Sequence, residues 1–499
     1  MTEGLEKMTV QGLLWAAKSD SGEFSVKSGE TKDTKTKGVW LWGSTVYNQG
    51  ANGAKTVTDQ MKQYGFTDIF LLVKGTSGAV GYDSKTALKV AHTDRDVLQE
   101  VIDEAHKKGI KVHAWFCIDC DAAWAAVHPE DMMVHITKGP DPSKNRISPL
   151  SPAYREYTEN LIREVVQNYD IDGIQLDYIR YPHIAYGFNE NYEIAKAKDA
   201  GINVDNVRDV INQTYYNTDS DGKAIFESYD RGDKDVVGWV NLRRNAVDSF
   251  AGEIKDIVKS VRPKIKYSAS LMPEGAYDAT FLVAQNDSKT FAEVHYGQDY
   301  SDAAKIYDFV VPMLYWNDYG KSPQWADALY KNTVNIFGRN RVIAGLQAYS
   351  PTKSADLCDT VNYIRESSGE GIALFRYGTF GLSSIDIKGK GCKENIMDIT
   401  MTDPLNPDNS ANVDITKVEI DMKGGITARK VLGNIDGCQI KLSDDGKMVT
   451  ITGMPCIPQN GTLKLSVVID GKNDTGREPA QVRFYVTNKY SEVRVYNKY

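Results

Sequence analysis

The feature that most constrains this chain is a regular alternation, from Gly38 onwards, of short apolar runs with longer amphipathic stretches. Between the runs, apolar residues recur three and four positions apart, as in 95–108 and 154–169, which indicates amphipathic helices. Strands that alternate with helices in this way are typical of parallel βαβ units. The runs that we interpret as strands are Val39–Trp42, Asp68–Val73, Lys111–Phe116, Gly173–Asp177, Ile265–Leu271, Asp308–Leu314, Val342–Leu346 and Ile372–Phe375.

This pattern predicts a (β/α)8 barrel, the TIM-barrel fold, at residues 38–403. A doubly wound open sheet has a similar periodicity, so that alternative stays open at this point. Residues 376–395 are rich in glycine and lysine and do not show the helix that should close a barrel. Residues 1–37 end in a charged, polar stretch and are interpreted as an N-terminal extension or linker.

After residue 410 the pattern changes to alternation of apolar and polar residues between Gly, Asp and Asn turns. The runs 413–420, 448–452, 463–469 and 482–486 show this alternation, which is typical of antiparallel strands. They predict an all-β, immunoglobulin-like sandwich at residues 411–499. The sequence leaves its role open between carbohydrate binding, attachment to a cell surface or a virion, and covering one end of the barrel.

Charge and hydropathy exclude some classes of partner. The net charge of −8 and the lack of a basic run argue against a nucleic-acid partner. No stretch approaches the ~20 apolar residues that cross a bilayer.

The first ten residues carry acids where a signal peptide would be basic, so we expect no signal peptide in this chain. We expect an extracellular or cell-surface location, with a phage-borne protein released by lysis as the alternative.

Two acidic residues are candidates for catalysis, because barrel active sites lie at the carboxyl ends of the strands. Asp177 ends the fourth strand and Glu274 follows the fifth. Glycoside hydrolysis uses two carboxyl groups, one as acid and one as nucleophile or base. We predict that Arg180 keeps Asp177 ionised and that Glu274 is the acid. A capping role for Asp177 and a solvated loop position for Glu274 are the alternatives.

Aromatic and polar residues cluster near the same strand ends, and the 28 Tyr and 8 Trp of the chain suit contacts with sugar rings. Each of these residues also has a structural interpretation. The aromatic side chains could pack the barrel, His113 could be a core residue, and Asp119 could lie on a solvated loop. The predicted substrate-binding residues are Trp42, Lys74, Tyr82, His113, Trp115, Asp119, Tyr178, Arg180, Tyr315 and Trp316.

We expect no metal or cofactor, because Cys117 and Cys120 form a lone C-x-x-C pair and the seven histidines lack ligand spacing. A metal-dependent hydrolase is therefore the weakest alternative. A polar insertion between Tyr181 and Val236 is long enough to suggest a function, and we expect it to form a wall or lid over the cleft.

Five segments carry a family resemblance: 38–41, 73–74 with 82–84, 105–115, 169–182 and 307–316. In these segments the chain resembles the bacterial glycoside-hydrolase-like barrel family that includes the divisome-localised peptidoglycan glycosidase. The resemblance implies a (β/α)8 barrel, hydrolysis of glycans, peptidoglycan as the substrate of some members, and Asp177 as an active-site residue. The third strand departs from the family's Asn-Pro pattern, since it continues as Cys117-Ile-Asp-Cys120.

The segment around Asp177 also resembles the region of α-amylase-type barrels that carries the nucleophilic aspartate. There the acid is a glutamate at the end of strand five, which by position supports Glu274. The sequence thus predicts a glycoside hydrolase that cleaves O-glycosidic bonds in a polysaccharide, with bacterial cell-wall glycan as a candidate substrate. The alternative is a non-catalytic glycan-binding or structural barrel in a surface or phage virion assembly.

Overall fold

The computed structural model describes residues 36–402 and 414–498, apart from 64, 219, 278–287, 350–351, 353–356, 358–359, 362, 365–370, 379–395, 423, 434–436, 454–461, 472–479 and 489–490. The predicted N-terminal extension therefore lies almost entirely outside the described residues. So does most of the segment after the eighth predicted strand, where the sequence shows no closing helix.

Eight parallel strands close into a barrel, which confirms the TIM-barrel prediction and excludes the open sheet. The first strand pairs with both the second and the last, as closure requires. Their order around the barrel is β1, β2, β3, β6, β7, β8, β9, β10. Their bounds are β1 Thr36–Trp42, β2 Asp68–Lys74, β3 Lys111–Cys117, β6 Gly173–Asp177, β7 Lys266–Leu271, β8 Phe309–Leu314, β9 Ile343–Gln347 and β10 Gly371–Phe375; a small hairpin, β4 Val134–His135 and β5 Gly139–Pro140, lies between β3 and β6.

Helices follow the strands at the positions that the 3.6-residue periodicity predicts. The helix after β2 begins at the cap Asp96, whose side chain accepts a hydrogen bond from Gln99 N–H. The helix before β6 has Ser151 as its cap and proline at its first position. The α-helices within the described residues include Gly43–Asn48, Gly53–Gln63, Val97–His106, Ala122–Val127, Pro152–Asn168, Glu193–Asp199, Val204–Tyr215, Ala224–Asp230, Lys234–Val261, Phe291–Tyr296, Tyr300–Ile306 and Pro323–Phe337.

Side chains of the strands alternate between the barrel interior and the helix layer, because successive residues of a strand point to opposite faces. On β1, Val39 and Leu41 pack with the helices, whereas Trp40 and Trp42 belong to an interior cluster of mainly aromatic residues. Near the amino end of the strands, the His113 imidazole donates a hydrogen bond to the Asp68 carboxylate at 2.9 Å. A side chain at Gly173 would lie 2.3 Å from that imidazole, so only glycine fits there.

The insertion after β6 forms three helices that share a small apolar core with the long helix Lys234–Val261. We expected this insertion to form a wall or lid over the cleft. Instead, no residue from 182 to 269 lines the cavity at the carboxyl ends of the strands. Stacked imidazoles of His183 and His295 join it to the barrel, with ring centroids 4.2 Å apart. His295 also hydrogen-bonds the Tyr215 hydroxyl at 2.8 Å, and the buried Arg243 guanidinium donates to both histidine carbonyl oxygens.

The burial of these histidines predicts that the free energy of unfolding decreases in acid. Burial and the Arg243 charge lower the pKa of His183 from 6.5 to about 4. The unfolded chain therefore takes up a proton near pH 6.5 and the folded chain only near pH 4, so the free energy of unfolding falls as the pH falls through that window. We expect His183→Gln to remove up to about 2 kcal/mol of this decrease in urea unfolding curves measured at several pH values.

The same two chains compared at about pH 8 provide the control for that experiment, because His183 is then uncharged in both the folded and the unfolded state. The difference in unfolding free energy measured there is the effect of the substitution alone, and its change as the pH falls is the effect of the imidazole. Parallel pH curves for the His183→Gln variant and the wild type would contradict the assignment.

The C-terminal part of the chain is all-β, as predicted. Its strands form a three-stranded antiparallel sheet, in the order β11, β16, β13, and a five-stranded one, in the order β14, β15, β12, β17, β18. Alternate residues such as Val418, Ile420, Leu465 and Val467 are buried. The bounds are β11 Ile396–Thr402, β12 Asp414–Met422, β13 Thr427–Gly433, β14 Gln439–Leu442, β15 Met448–Thr452, β16 Thr462–Asp470, β17 Ala480–Asn488 and β18 Ser491–Lys498.

Strand β11 pairs with β16, so a segment that the predicted boundary at residue 403 places with the barrel is hydrogen-bonded to a C-terminal sheet. The immunoglobulin-like assignment stays a prediction. In the part of the chain that the structure describes, no helix combines the length and the apolar character needed to span a membrane.

Candidate active site

A cavity of about 470 Å³ lies at the carboxyl ends of the barrel strands, where enzymes of this fold place their sites. Aromatic side chains form much of its wall, and two carboxylates, Asp177 and Asp318, line it. The lining residues are Trp40, Trp42, Leu72, Thr76, Trp115, Cys117, Asp177, Tyr178, Arg180, Ser270, Met272, Met313, Tyr315, Asp318, Tyr319, Tyr349 and Phe375.

Asp177 is the last residue of β6 and is only 6% exposed. Its Oδ2 accepts a hydrogen bond from the Trp115 indole at 3.2 Å, and its Oδ1 accepts one from the Tyr178 N–H at 2.7 Å. The Arg180 guanidinium lies 3.4 Å from Oδ1. Burial raises the pKa of Asp177 above its ordinary value, and Arg180 and these donors oppose the increase.

The backbone of Tyr178, the residue after Asp177, helps to fix the position of the Asp177 carboxylate. Tyr178 has a φ of 54°, in the left-handed region that side chains other than glycine rarely adopt. This conformation accompanies the hydrogen bond from the Tyr178 N–H to the carboxylate of its own neighbour. Two guanidiniums lie over the Tyr178 ring, Arg146 at 5.0 Å and Arg180 at 4.6 Å from its centroid. The pair of cation–π contacts stabilises the turn that presents Asp177.

Asp318 is the second carboxylate of the cavity, and the sequence did not single it out as catalytic. It lies on the loop after β8, where its Oδ1 accepts a hydrogen bond from the Gln347 amide at 2.9 Å. Its Oδ2 accepts one from the Tyr349 hydroxyl, and its own N–H donates to Gln347 Oε1. Side chains at the end of β9 therefore fix the orientation of Asp318.

Glu274 does not line this cavity. It lies in the 3-10 turn Pro273–Ala276 after β7, is 3% exposed, and accepts a hydrogen bond from the Tyr296 hydroxyl at 3.1 Å. Burial raises its pKa, as predicted for an acid, while the Tyr319 hydroxyl acts against this increase. Because Tyr319 lines the cavity, Glu274 touches the site through that side chain.

Six of the sequence-predicted residues lie on the cavity wall: Trp42, Trp115, Asp177, Tyr178, Arg180 and Tyr315. Arg376 adds a cation 3.5 Å from the centre of the Trp42 ring. Cys117 also lines the cavity, and burial raises the pKa of its thiol. Inward-facing strand residues such as Ser270, Met313 and Phe375 were missed, although the two-residue period of each strand could have identified them.

Three predicted substrate-binding residues, Lys74, Tyr82 and His113, do not line this cavity. Lys74 is fully buried, and its ammonium donates to the carbonyl oxygens of Cys117 and Cys120 and pairs with Asp121 at 3.1 Å. The Tyr82 hydroxyl is also fully buried and donates to Leu161 O. His113 is the core histidine that the sequence left as an alternative.

Two further predicted residues lie away from the cavity wall. Asp119 is fully buried instead of solvated, burial raises its pKa well above the ordinary value, and its N–H donates to Tyr178 O. Trp316 is 1% exposed and packs with the helix layer. Neither is placed to touch a ligand in this cavity.

Removal of the Lys74 charge should destabilise the fold. Lys74→Met leaves the buried Asp121 carboxylate and two carbonyl oxygens without their cation, and breaking a buried pair costs about 3–5 kcal/mol. We expect a decrease of that size in the free energy of unfolding in urea. Lys55→Met is the control, because Lys55 forms an ion pair with Asp59 that is 62% and 46% exposed, and surface pairs contribute about 0–1 kcal/mol. Equal stabilities of the two variants would contradict this assignment.

Within the described ranges, no three His, Cys, Asp or Glu side chains gather in a way that could hold a metal ion. What the cavity offers is two carboxyl groups, a guanidinium and several aromatic faces. This set suits acid–base or nucleophilic chemistry on a neutral, ring-shaped substrate.

A family model described as "Glycosyl hydrolase-like 10" matches residues 35–357, which is more than half of the chain. The chain is 22% identical over 322 residues to glycosyl hydrolase DigH of Escherichia coli (strain K12), covering 58% of this chain and 64% of that protein. It is 22% identical over 326 residues to glycosyl hydrolase YngK of Bacillus subtilis (strain 168), covering 57% and 55%. The chain thus spans less than two thirds of the length of these relatives.

A solved structure, the PgaB (BpsB) glycoside hydrolase domain from Bordetella bronchiseptica, superposes with a TM-score of 0.52 at 15% identity. The superposition covers 68% of this chain and 93% of that one. At this identity the likeness shows the barrel fold.

Proposed function

The chain belongs to the glycosyl hydrolase-like 10 family, and on that premise we propose that it is a glycosidase that cleaves O-glycosidic bonds at the cavity containing Asp177. The observation that carries the proposal is the presence of two carboxylates, Asp177 and Asp318, in one aromatic-walled cavity at the catalytic end of the barrel. Two carboxyl groups are what glycoside hydrolysis requires, and flat aromatic side chains are what sugar rings stack on.

We assign Asp177 the role of nucleophile or base. The Trp115 indole, the Tyr178 N–H and the Arg180 guanidinium all point at it, and each stabilises the ionised carboxylate. A carboxylate held in this way attacks the anomeric carbon or takes a proton from the attacking water.

We assign the acid role to Asp318 in preference to Glu274. Both residues follow neighbouring strands, but Asp318 lines the cavity and Glu274 is turned towards Tyr296 and Tyr319. As acid, Asp318 donates its proton to the oxygen of the leaving sugar, and the leaving group departs as a neutral alcohol. For this step one Asp318 oxygen exchanges the hydrogen bond that it accepts from Gln347 or Tyr349 for one that it donates to the substrate. Glu274 then supports the site by holding Tyr319.

For the substrate, we propose a polysaccharide, with bacterial cell-wall glycan as the first candidate, and an extracellular or cell-surface site of action. The support is the family and the aromatic lining, which suits a neutral glycan. For the C-terminal sheets we propose an accessory role in attachment to a surface or to glycan.

The test is a panel of glycans that includes denuded peptidoglycan, chitooligosaccharides and neutral plant and bacterial polysaccharides. We expect the full chain to release new reducing ends from at least one of them, with product masses that show hydrolysis. Binding to a glycan without release of any reducing end would refute the glycosidase proposal and favour the non-catalytic, glycan-binding barrel.

A further inference from the structure

Ser270 is a buried polar residue of the cavity wall. It lies on β7, is 1% exposed, and lines the cavity. Among the residues that the structure describes, none forms a hydrogen bond with its hydroxyl. Buried polar atoms are nearly always paired, so an unpaired one that faces a cavity points to a ligand group that pairs with it.

The position of Ser270 places it beside the reacting carboxylate. Strands β6 and β7 are parallel, and their register runs from Gly173↔Lys266 to Leu176↔Ala269. The next residues along the two strands are Asp177 and Ser270, and both line the cavity. The Ser270 hydroxyl therefore lies on the strand adjacent to Asp177, at the same level of the barrel.

On the side of Ser270 that faces β8, away from Asp177, the cavity wall is apolar, and the register partner of Ser270 on that strand is Val311. Met272 on the same chain segment and Met313 on β8 line the wall next to it. A sugar hydroxyl that reached this wall would lose its hydrogen bonds to water and find few replacements there. Ser270 supplies one, because its hydroxyl both donates and accepts.

We propose that Ser270 binds substrate: its side chain hydrogen-bonds a hydroxyl group of the sugar unit that lies against Asp177. This inference rests on the proposed glycosidase function and adds a residue that determines which sugar is accepted. A site built to pair with a substrate hydroxyl discriminates strongly against a sugar that lacks it, because the buried serine is then left unpaired.

The same strand provides a matched control. Ser268 lies two residues earlier, faces the same side, and is fully buried, but its hydroxyl donates to Ile174 O at 3.3 Å. Ser268 therefore has the structural partner that Ser270 lacks. Ser268→Ala should lower the urea midpoint and leave kcat/KM within about twofold of the wild type.

The experiment compares Ser270→Ala with Ser268→Ala on the glycan of the panel that the wild type cleaves fastest. We expect Ser270→Ala to reduce kcat/KM about tenfold or more while its urea midpoint stays equal to or above that of the wild type. An unchanged kcat/KM, or a lowered urea midpoint that reveals a structural partner, would overturn the proposal.

If the wild-type protein cleaves no glycan of the panel, the glycosidase proposal is refuted. The Ser270 proposal is then tested by a binding measurement. Chitooligosaccharides are then titrated while the tryptophan fluorescence of the protein is followed, because Trp40, Trp42 and Trp115 line the cavity. Weaker binding by Ser270→Ala than by Ser268→Ala supports the contact. Equal binding, or no binding by the wild type, overturns it.

Discussion

Asp177→Asn is expected to lower the rate of glycan hydrolysis by about 10³-fold or more, which corresponds to about 4 kcal/mol of transition-state stabilisation. The amide has nearly the shape of the carboxylate and still accepts a hydrogen bond from the Trp115 indole. It has no charge, however, so it neither attacks the anomeric carbon nor stabilises the positive charge that develops there. The measurement is the initial rate of reducing-end release, with circular dichroism and urea unfolding to show that the barrel is intact.

Asp172→Asn is the matched control for this experiment, because Asp172 immediately precedes the same strand, at the end opposite to Asp177. Its Oδ2 accepts hydrogen bonds from Val112 N–H at 2.8 Å and His106 at 2.9 Å, so its role is structural. We expect a modest loss of stability and nearly full activity. If Asp177→Asn hydrolyses glycan as fast as this control, Asp177 is not the reacting group.

Asp318→Asn is expected to lower the rate by about 10²–10⁴-fold, the contribution typical of a general acid. The loss should be smallest for substrates with a good leaving group, such as aryl glycosides, because these need little protonation of the leaving oxygen. The measurement is therefore the ratio of kcat/KM for an aryl glycoside to that for the natural glycan, which should rise in the Asp318→Asn variant.

Glu274→Gln separates the two candidate acids. A glutamine at this position can keep the contacts with Tyr296 and Tyr319, so we expect activity within about tenfold of the wild type. If Glu274→Gln instead loses activity as Asp177→Asn does while Asp318→Asn stays active, the sequence-based choice of Glu274 is right and the choice of Asp318 is wrong.

Much of the barrel could be predicted from the sequence. The eight apolar runs coincide with the eight strands to within a few residues, because strands buried on both faces need continuous apolar sequence. Asp177 could be placed at the cavity for the same reason, since it directly ends such a run. The periodicity by itself left the open sheet as an alternative to the predicted barrel, because strand periodicity is the same in open and closed α/β folds.

Residues at the end of a strand or just past it were harder to place. Lys74 should face the barrel interior by alternation with Leu72, but an irregularity in the β2–β3 register between Leu72 and Lys74 changes its direction. Lys74 then pairs with Phe116 in register and its side chain meets Tyr154 on the helix side. Glu274 and Asp318 likewise follow strands by a few residues, where turn geometry and not period decides which carboxylate reaches the cavity.

The lining of the cavity has a consequence for how activity appears during synthesis of the chain. Trp40 and Trp42 come from the first strand of the barrel and Phe375 from the last, and these two strands are neighbours in the closed sheet. More than three hundred residues separate them in sequence. A nascent chain that ends before β10 therefore lacks one wall of the pocket as well as the seam of the barrel. Two fragments split between β9 and β10 should each be inactive, and their reassociation would restore the closed barrel and the cavity together.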